Sequence, residues 1–217
     1  DYQGKNQVIR NAEVSVLMPQ ATLRADATVN GDGGKVILWS DDYTGSYGSI
    51  FAQGGLQGGN GGFVETSSKN DLSVMGLVNV GASLGAGGTW LLDPNILNVT
   101  SAGTATLPQT FATGGTVDIS NTTIETALAV GNVTLQANSD INILAGIGSG
   151  TGTLTLQAGR SISLSNGIID ISGAVVLTAN DGSATGVRGA GSGGISIDQR
   201  ITSASTVTIT AQRTRPA

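Results

Sequence analysis

Residues 132–146 read NVTLQANSDINILAG, and residues 153–167 read TLTLQAGRSISLSNG. Six of the fifteen positions are identical at an offset of 21 residues. A fixed period of this size marks stacked repeats, each of which cannot bury its apolar side alone. The apolar positions carry the period onward through Val133, Leu135, Ala137; Leu154, Leu156, Ala158; Val175, Leu177, Ala179; and Val207, Ile209, Ala211. The first two steps are 21 residues and the third is 32. The excess falls in DGSATGVRGAGSGG at 181–194, whose Gly, Ser and Ala content reads as a loop extruded from the stack. A second track runs Ile141, Ile162, Ile195 and a third Ile147, Ile168, Ile201, which implies three faces.

Successive side chains of a strand point to opposite faces, so the first, third and fifth residues of VTLQA, LTLQA, VVLTA and VTITA point inward together. Leu135, Leu156, Leu177 and Ile209 are expected in one buried row. Thr134, Thr155, Val176, Thr208 and Gln136, Gln157, Thr178, Thr210 are expected in solvated outer rows. Parallel stacking at about 4.8 Å pairs each backbone donor with the neighbouring copy, and the handedness of parallel crossovers favours the right-handed form. The fold class expected is all-β: a right-handed parallel β-helix, or solenoid, with one short helix near 123–130 and the loop at 181–194.

The first half repeats the pattern at a longer step. GGKVILWSD (33–41), GGFVETSS (61–68) and GGTWLLDP (87–94) place a Gly pair before a short β-forming run, 28 and 26 residues apart. SIFAQGG, LSVMG and VNVGAS between them read as short strands with glycine corners, about three per turn of the stack. The organisation expected is irregular N-terminal strands over 1–30, including AEVSVLM and ATLRADATV; long-period turns over 31–99; an excursion with a capping helix over 100–131; short-period turns over 132–212; and a tail at 213–217. In the excursion, Thr122 and Glu125 suit a capping box before the helix, with Ile124, Ala127 and Leu128 docking on the stack.

Composition narrows the function. Glycine numbers 34 and charged residues are only 12%, but regularly alternating Val, Ile and Leu argue for a folded chain. The net charge is −5, with the ten Lys and Arg residues scattered, so no nucleic-acid partner is expected. The chain has no His and no Cys, which closes Ser-His-Asp and Cys-His nucleophiles and thiolate metal sites. No apolar run of membrane-spanning length, signal peptide or initiator Met is present, and the chain reads as a piece of a longer, processed polypeptide. No catalytic residue, cofactor or metal site is expected.

Four stretches nevertheless invite chemistry. Asp41 and Asp42 adjoin Trp39, Tyr43 and Tyr47, but adjacent strand residues point apart, so they read as a corner rather than an acid–base pair. NGDGGK at 30–35 superficially suits calcium yet lacks the repeated spacing and terminal Glu, and reads as a turn. Trp90, Leu91 and Leu92 before Asp93-Pro94 read as core rather than a recognition patch. The Thr and Gln rows could order water or ice, although Val176 interrupts them, and read as a solvated β face. Neither Lys35 nor Lys69 is spaced to activate a serine.

GGKVILWSD, YGSI, GGNGGFVETS, GGTWLLDPNILNV, NTTIETAL, GNVTLQANSDI and LTLQAGRSI occur in this order over roughly residues 31–212. In them the chain resembles the filamentous-haemagglutinin-like exoproteins of two-partner secretion systems. The resemblance implies a long β-helical fibre, secreted to the outer surface of a Gram-negative cell through a partner outer-membrane transporter. Its implied roles are adhesion, aggregation or biofilm matrix. That family carries an Asn-Pro-Asn-type export motif in an N-terminal domain; Asp93-Pro94-Asn95 differs from it, which places this stretch downstream. The function expected is therefore a structural and adhesive module that meets a surface receptor or glycan and can self-associate end to end or laterally. The alternatives are a carbohydrate-active β-helix enzyme, which would stack carboxylates at matching positions, and the stalk of a contact-dependent toxin.

Overall fold

The computed structural model describes residues 1–102, 115–184 and 188–212. The described strands fall into five sheets, met by the chain in successive passes. The first pass holds β1 (Val14–Leu17), β2 (Thr22–Arg24) and β3 (Lys35–Ser40). The second holds β4 (Tyr43–Ser46), β5 (Ser49–Phe51) and β6 (Phe63–Ser68), and the third β7 (Asp71–Val74), β8 (Val78–Asn79) and β9 (Thr89–Leu92). The fourth is irregular: β10 (Ile96–Thr100), β11 (Thr116–Ser120), α1 (Asn121–Leu128) and β12 (Asn132–Ala137). Then follow β13 (Ile141–Ile143) and β14 (Leu154–Ala158); β15 (Ile162–Leu164), β16 (Ile169–Ile171) and β17 (Val175–Ala179); and β18 (Ile195–Ile197), β19 (Ile201–Ser203) and β20 (Val207–Ala211).

The last strands of the passes form one seven-stranded sheet, β3-β6-β9-β12-β14-β17-β20. First strands make β1-β4-β7 and β11-β10-β13-β15-β18, and middle strands make β2-β5-β8 and β16-β19. All the strand pairings are parallel, so the described fold is mostly β with parallel sheets. Like residues meet: Val133, Leu154, Val175 and Val207 form one row, and Leu135, Leu156, Leu177 and Ile209 another. In the longer-period half, Lys35, Phe63 and Thr89 align, as the spacing of the Gly pairs predicts. Val64, Trp90, Val133, Leu135, Leu156 and Leu177 are fully buried. At about 1.5–3 kcal/mol per buried aliphatic side chain, these rows dominate the stabilisation.

The helix replaces a middle strand. On one side it borders Met75 to Val78, across a cavity of about 200 Å³ shared with Thr123 and Thr126. On the other side Glu125 Oε1 accepts the Gly148 N–H at 2.6 Å, and Gly150 lies against Leu128. Ile124, Ala127 and Leu128 are buried, as their spacing predicts. The cap differs from expectation: the capping residue is Ser120 rather than Thr122, its Oγ accepting the Thr122 N–H at 3.3 Å, and Glu125 reaches the next pass instead of closing a capping box. The residues before the helix also hold β11, paired in register with β10 over 96–100 and 116–120, where the sequence shows no clean register. The rest of the excursion, 103–114, and the tail at 213–217 lie outside the described residues.

Three further expectations are corrected. The third track runs Ile147, Ile169, Ile201, not through Ile168. The corner from Leu164 to Ile169 is one residue longer than that from Ile143 to Ile147, and a one-residue shift reverses which side chain faces inward. Ile169 is accordingly fully buried and Ile168 is 40% exposed. Ile209 keeps its register but is 48% exposed, because no described strand lies beyond β20. The 181–194 loop returns to the sheets: Ser183 Oγ accepts from Gln136 Nε2 at 3.0 Å, Ser139 Oγ from the Gly189 N–H at 2.7 Å, and Ala190 O from Arg160 Nη1 at 2.9 Å.

Candidate functional site

The four stretches singled out by sequence do not converge. Asp41 and Asp42 stand at the corner between β3 and β4, where Asn11 Nδ2 donates to Asp41 at 3.2 Å and Asn70 Nδ2 to Asp42 at 2.9 Å. Tyr43 and Tyr47 are buried with their hydroxyls hydrogen-bonded to each other, so they offer no surface platform. Burial pushes the Tyr43 phenol well above its ordinary range. Asp32 Oδ1 accepts the Asn60 N–H at 2.7 Å, which fixes the 30–35 turn to the next pass. Among the described residues no three His, Cys, Asp or Glu side chains gather as metal ligands. Trp90 is fully buried and donates from Nε1 to Thr66 Oγ1 at 2.9 Å. Lys35 lies over the Phe63 ring at 5.5 Å.

The structure instead assembles a site that the sequence reading passed over. In β6, Val64, Thr66 and Ser68 alternate with Phe63, Glu65 and Ser67, and the pairing of Glu65 with Leu91 sets Asp93 diagonally across from Glu65. Both carboxylates lie on the outer side of the seven-stranded sheet, yet Glu65 is 0% and Asp93 6% exposed. Their cover is the turn Tyr2–Gly4. The Tyr2 ring packs on Phe63 at 5.8 Å between centroids. The Gln3 N–H is shared between Glu65 Oε1 and Oε2, 3.2 Å from each. Gln3 Nε2 donates to Asp93 Oδ2 at 2.8 Å and to Gln136 Oε1 at 2.6 Å, while Lys5 Nζ donates to Gln3 Oε1. Gln136 Nε2 carries the network on to Gln157 Oε1 at 3.0 Å.

Electrostatics follow from enclosure, because burial disfavours the charged form of a carboxyl. Burial pushes Glu65 up to about 7, against the lowering effect of the Gln3 N–H, and pushes Asp93 up to about 6, against the Gln3 amide and Lys5. Among the described residues, Asp93 Oδ1 and Trp39 Nε1 are buried without a hydrogen-bond partner. Two acids near neutrality could exchange protons with a bound molecule, but the docked turn occupies the space one would need. Aligning the Gly pairs of GGFVETSS and GGTWLLDP already sets Glu65 and Asp93 on the same side. Nothing in that alignment announces their cover.

Elsewhere, a groove of about 610 Å³ is lined by Arg24, Asp26, Gln53, Asn79, Ser83 and Val130, among others. Arg24 stacks on Phe51 at 4.4 Å and pairs with Asp26 at 2.8 Å. No protein-family model matches the chain, and no curated protein matches it.

Proposed function

We propose that the chain is a right-handed parallel β-helix serving as a structural and adhesive module of a secreted bacterial surface fibre. The observation that carries this reading is the parallel, in-register pairing of strands from successive stretches of the chain, with like residue beside like across the seven-stranded sheet. Parallel crossovers are almost always right-handed. Such a rod suits display of outer rows and grooves to a receptor or glycan, after export of the parent protein by a partner transporter. End-to-end or lateral association of such rods belongs to the same proposal. The test is deletion of the parent protein: cells should lose attachment or aggregation while keeping their carbohydrate-degrading activity. Retained attachment would refute the adhesive role.

A carbohydrate-active enzyme is the second reading, favoured by the Glu65–Asp93 pair on adjacent strands. It requires polysaccharide cleavage by the purified protein that Glu65→Gln or Asp93→Asn abolishes.

A further inference from the structure

The N-terminal turn is a small element with an unusual interface. Gln3 holds a positive φ of 52°, and Gly4 one of 59° with its Cα pressed against Trp39, where an added Cβ would come within 2.3 Å of Nε1. A positive φ at a non-glycine residue such as Gln3 persists only when the surroundings impose it, and here the surroundings include the outer side chains of β3 and β6. The interface is poorly compensated, since Asp93 Oδ1 and Trp39 Nε1 are buried without partners among the described residues. Between the turn and the sheet lie two carboxyls that both accept from one residue of the turn, Gln3, while Ser67 of the sheet also faces Glu65.

We propose that residues 1–5 form a pH-gated strap over the outer face of β6 and β9, docked while Glu65 and Asp93 carry protons and released as they ionise. From the strap, the Tyr2 hydroxyl and the Lys5 ammonium face the pair. The Asp1 carboxylate is engaged by the Asn6 N–H at 2.6 Å. From the sheet side, Ser67 and Gln136 are uncharged. Lys5 favours ionisation without neutralising it, because its ammonium is bound to Gln3 Oε1 rather than to a carboxylate.

The sign follows from linkage. Both acids bind protons more tightly when the strap is docked than when it is free, so docking is strongest below the ordinary carboxyl range. It weakens as pH rises through about 6 for Asp93 and about 7 for Glu65. Release uncovers Trp39 and Phe63 beside two negative charges, a surface available at neutral and alkaline pH and closed in acid.

Amide hydrogen exchange of the whole chain at pH 5 and pH 8, corrected for intrinsic rates, tests this. The Gln3 amide should lose about tenfold protection or more at pH 8, each pKa unit being a factor of ten, while amides of β14 stay unchanged. The Glu65→Gln, Asp93→Asn double variant should keep the strap protected at both pH values. Equal protection of Gln3 at pH 5 and 8 in the unsubstituted chain would overturn the proposal. So would ordinary carboxyl midpoints near ~4 in a carbon-13 titration of Glu65 and Asp93, a measurement that needs no variant.

Discussion

The two ends of the seven-stranded sheet use one strand pattern to opposite effect. In β14 and β17 the inward residues Leu154, Leu156, Val175 and Leu177 are fully buried, and the outward Thr155, Gln157, Val176 and Thr178 are half-buried. In β6 and β9 the inward row admits Thr66 as a partner for Trp90, and the outward Glu65, Ser67 and Leu91 are buried as well. Alternation decides which way a side chain points. Whether an outward side chain meets water depends on what another part of the chain lays over it, here the Tyr2–Gly4 turn.

That comparison breaks most sharply at the inward row. Leu156→Asp sets a carboxylate among buried leucines and should cost several kcal/mol, roughly 4 or more, whereas Thr155→Asp one position away should stay within about 1 kcal/mol. Denaturant unfolding of both variants checks the pair, and equal costs would dissolve the distinction between faces.

The corrected third row is tested next. Ile169→Ala should lose about 2–4 kcal/mol as a core truncation, and Ile168→Ala less than about 1 kcal/mol. The reverse order would restore the uniform 21-residue track.

At the other end, Thr66→Val retains volume but leaves the Trp90 indole N–H unpaired in the interior, for an expected loss of about 1–3 kcal/mol. Unchanged stability would mean that the indole finds another acceptor.

The smallest effect belongs to the Asp140–Arg160 pair at neighbouring corners of the short-period strands. Asp140 is held below the usual carboxylate range by its hydrogen bonds with the Arg160 guanidinium. Because the pKa is depressed, this contribution is present above the unfolded value near ~3.9 and is lost as pH falls through the native one. The pair is partly solvated, so Arg160→Ala should cost no more than about 1 kcal/mol at neutral pH and less in acid.

Much of the strand arrangement was legible in the sequence because periodicity reports on neighbours one repeat away. The rows from Val133 and from Ile141, the Gly-pair register and the docking face of the helix all follow from spacing. Where corner length changes, as before Ile169, a constant period fails, since it cannot say on which side of a corner the extra residue falls. The strand β11 stayed illegible for a related reason: its pairing with β10 is one unrepeated contact, not a periodic row. Of the candidate site, the shared side of Glu65 and Asp93 could be read from aligned Gly pairs, but nothing marked either carboxyl as buried.

The sequence by itself thus determined the direction of the side chains in the rows that keep a constant period, because strand geometry is local and stacking only multiplies it. Tertiary structure alone decided that Gln3 would bond Glu65 and Asp93, 62 and 90 residues away. It also decided that the 181–194 loop would bond Gln136 and Ser139. Those contacts are made by segments outside any repeat, and the dielectric surroundings of a carboxyl, and hence its charge, depend on everything packed around it rather than on its neighbours in the chain.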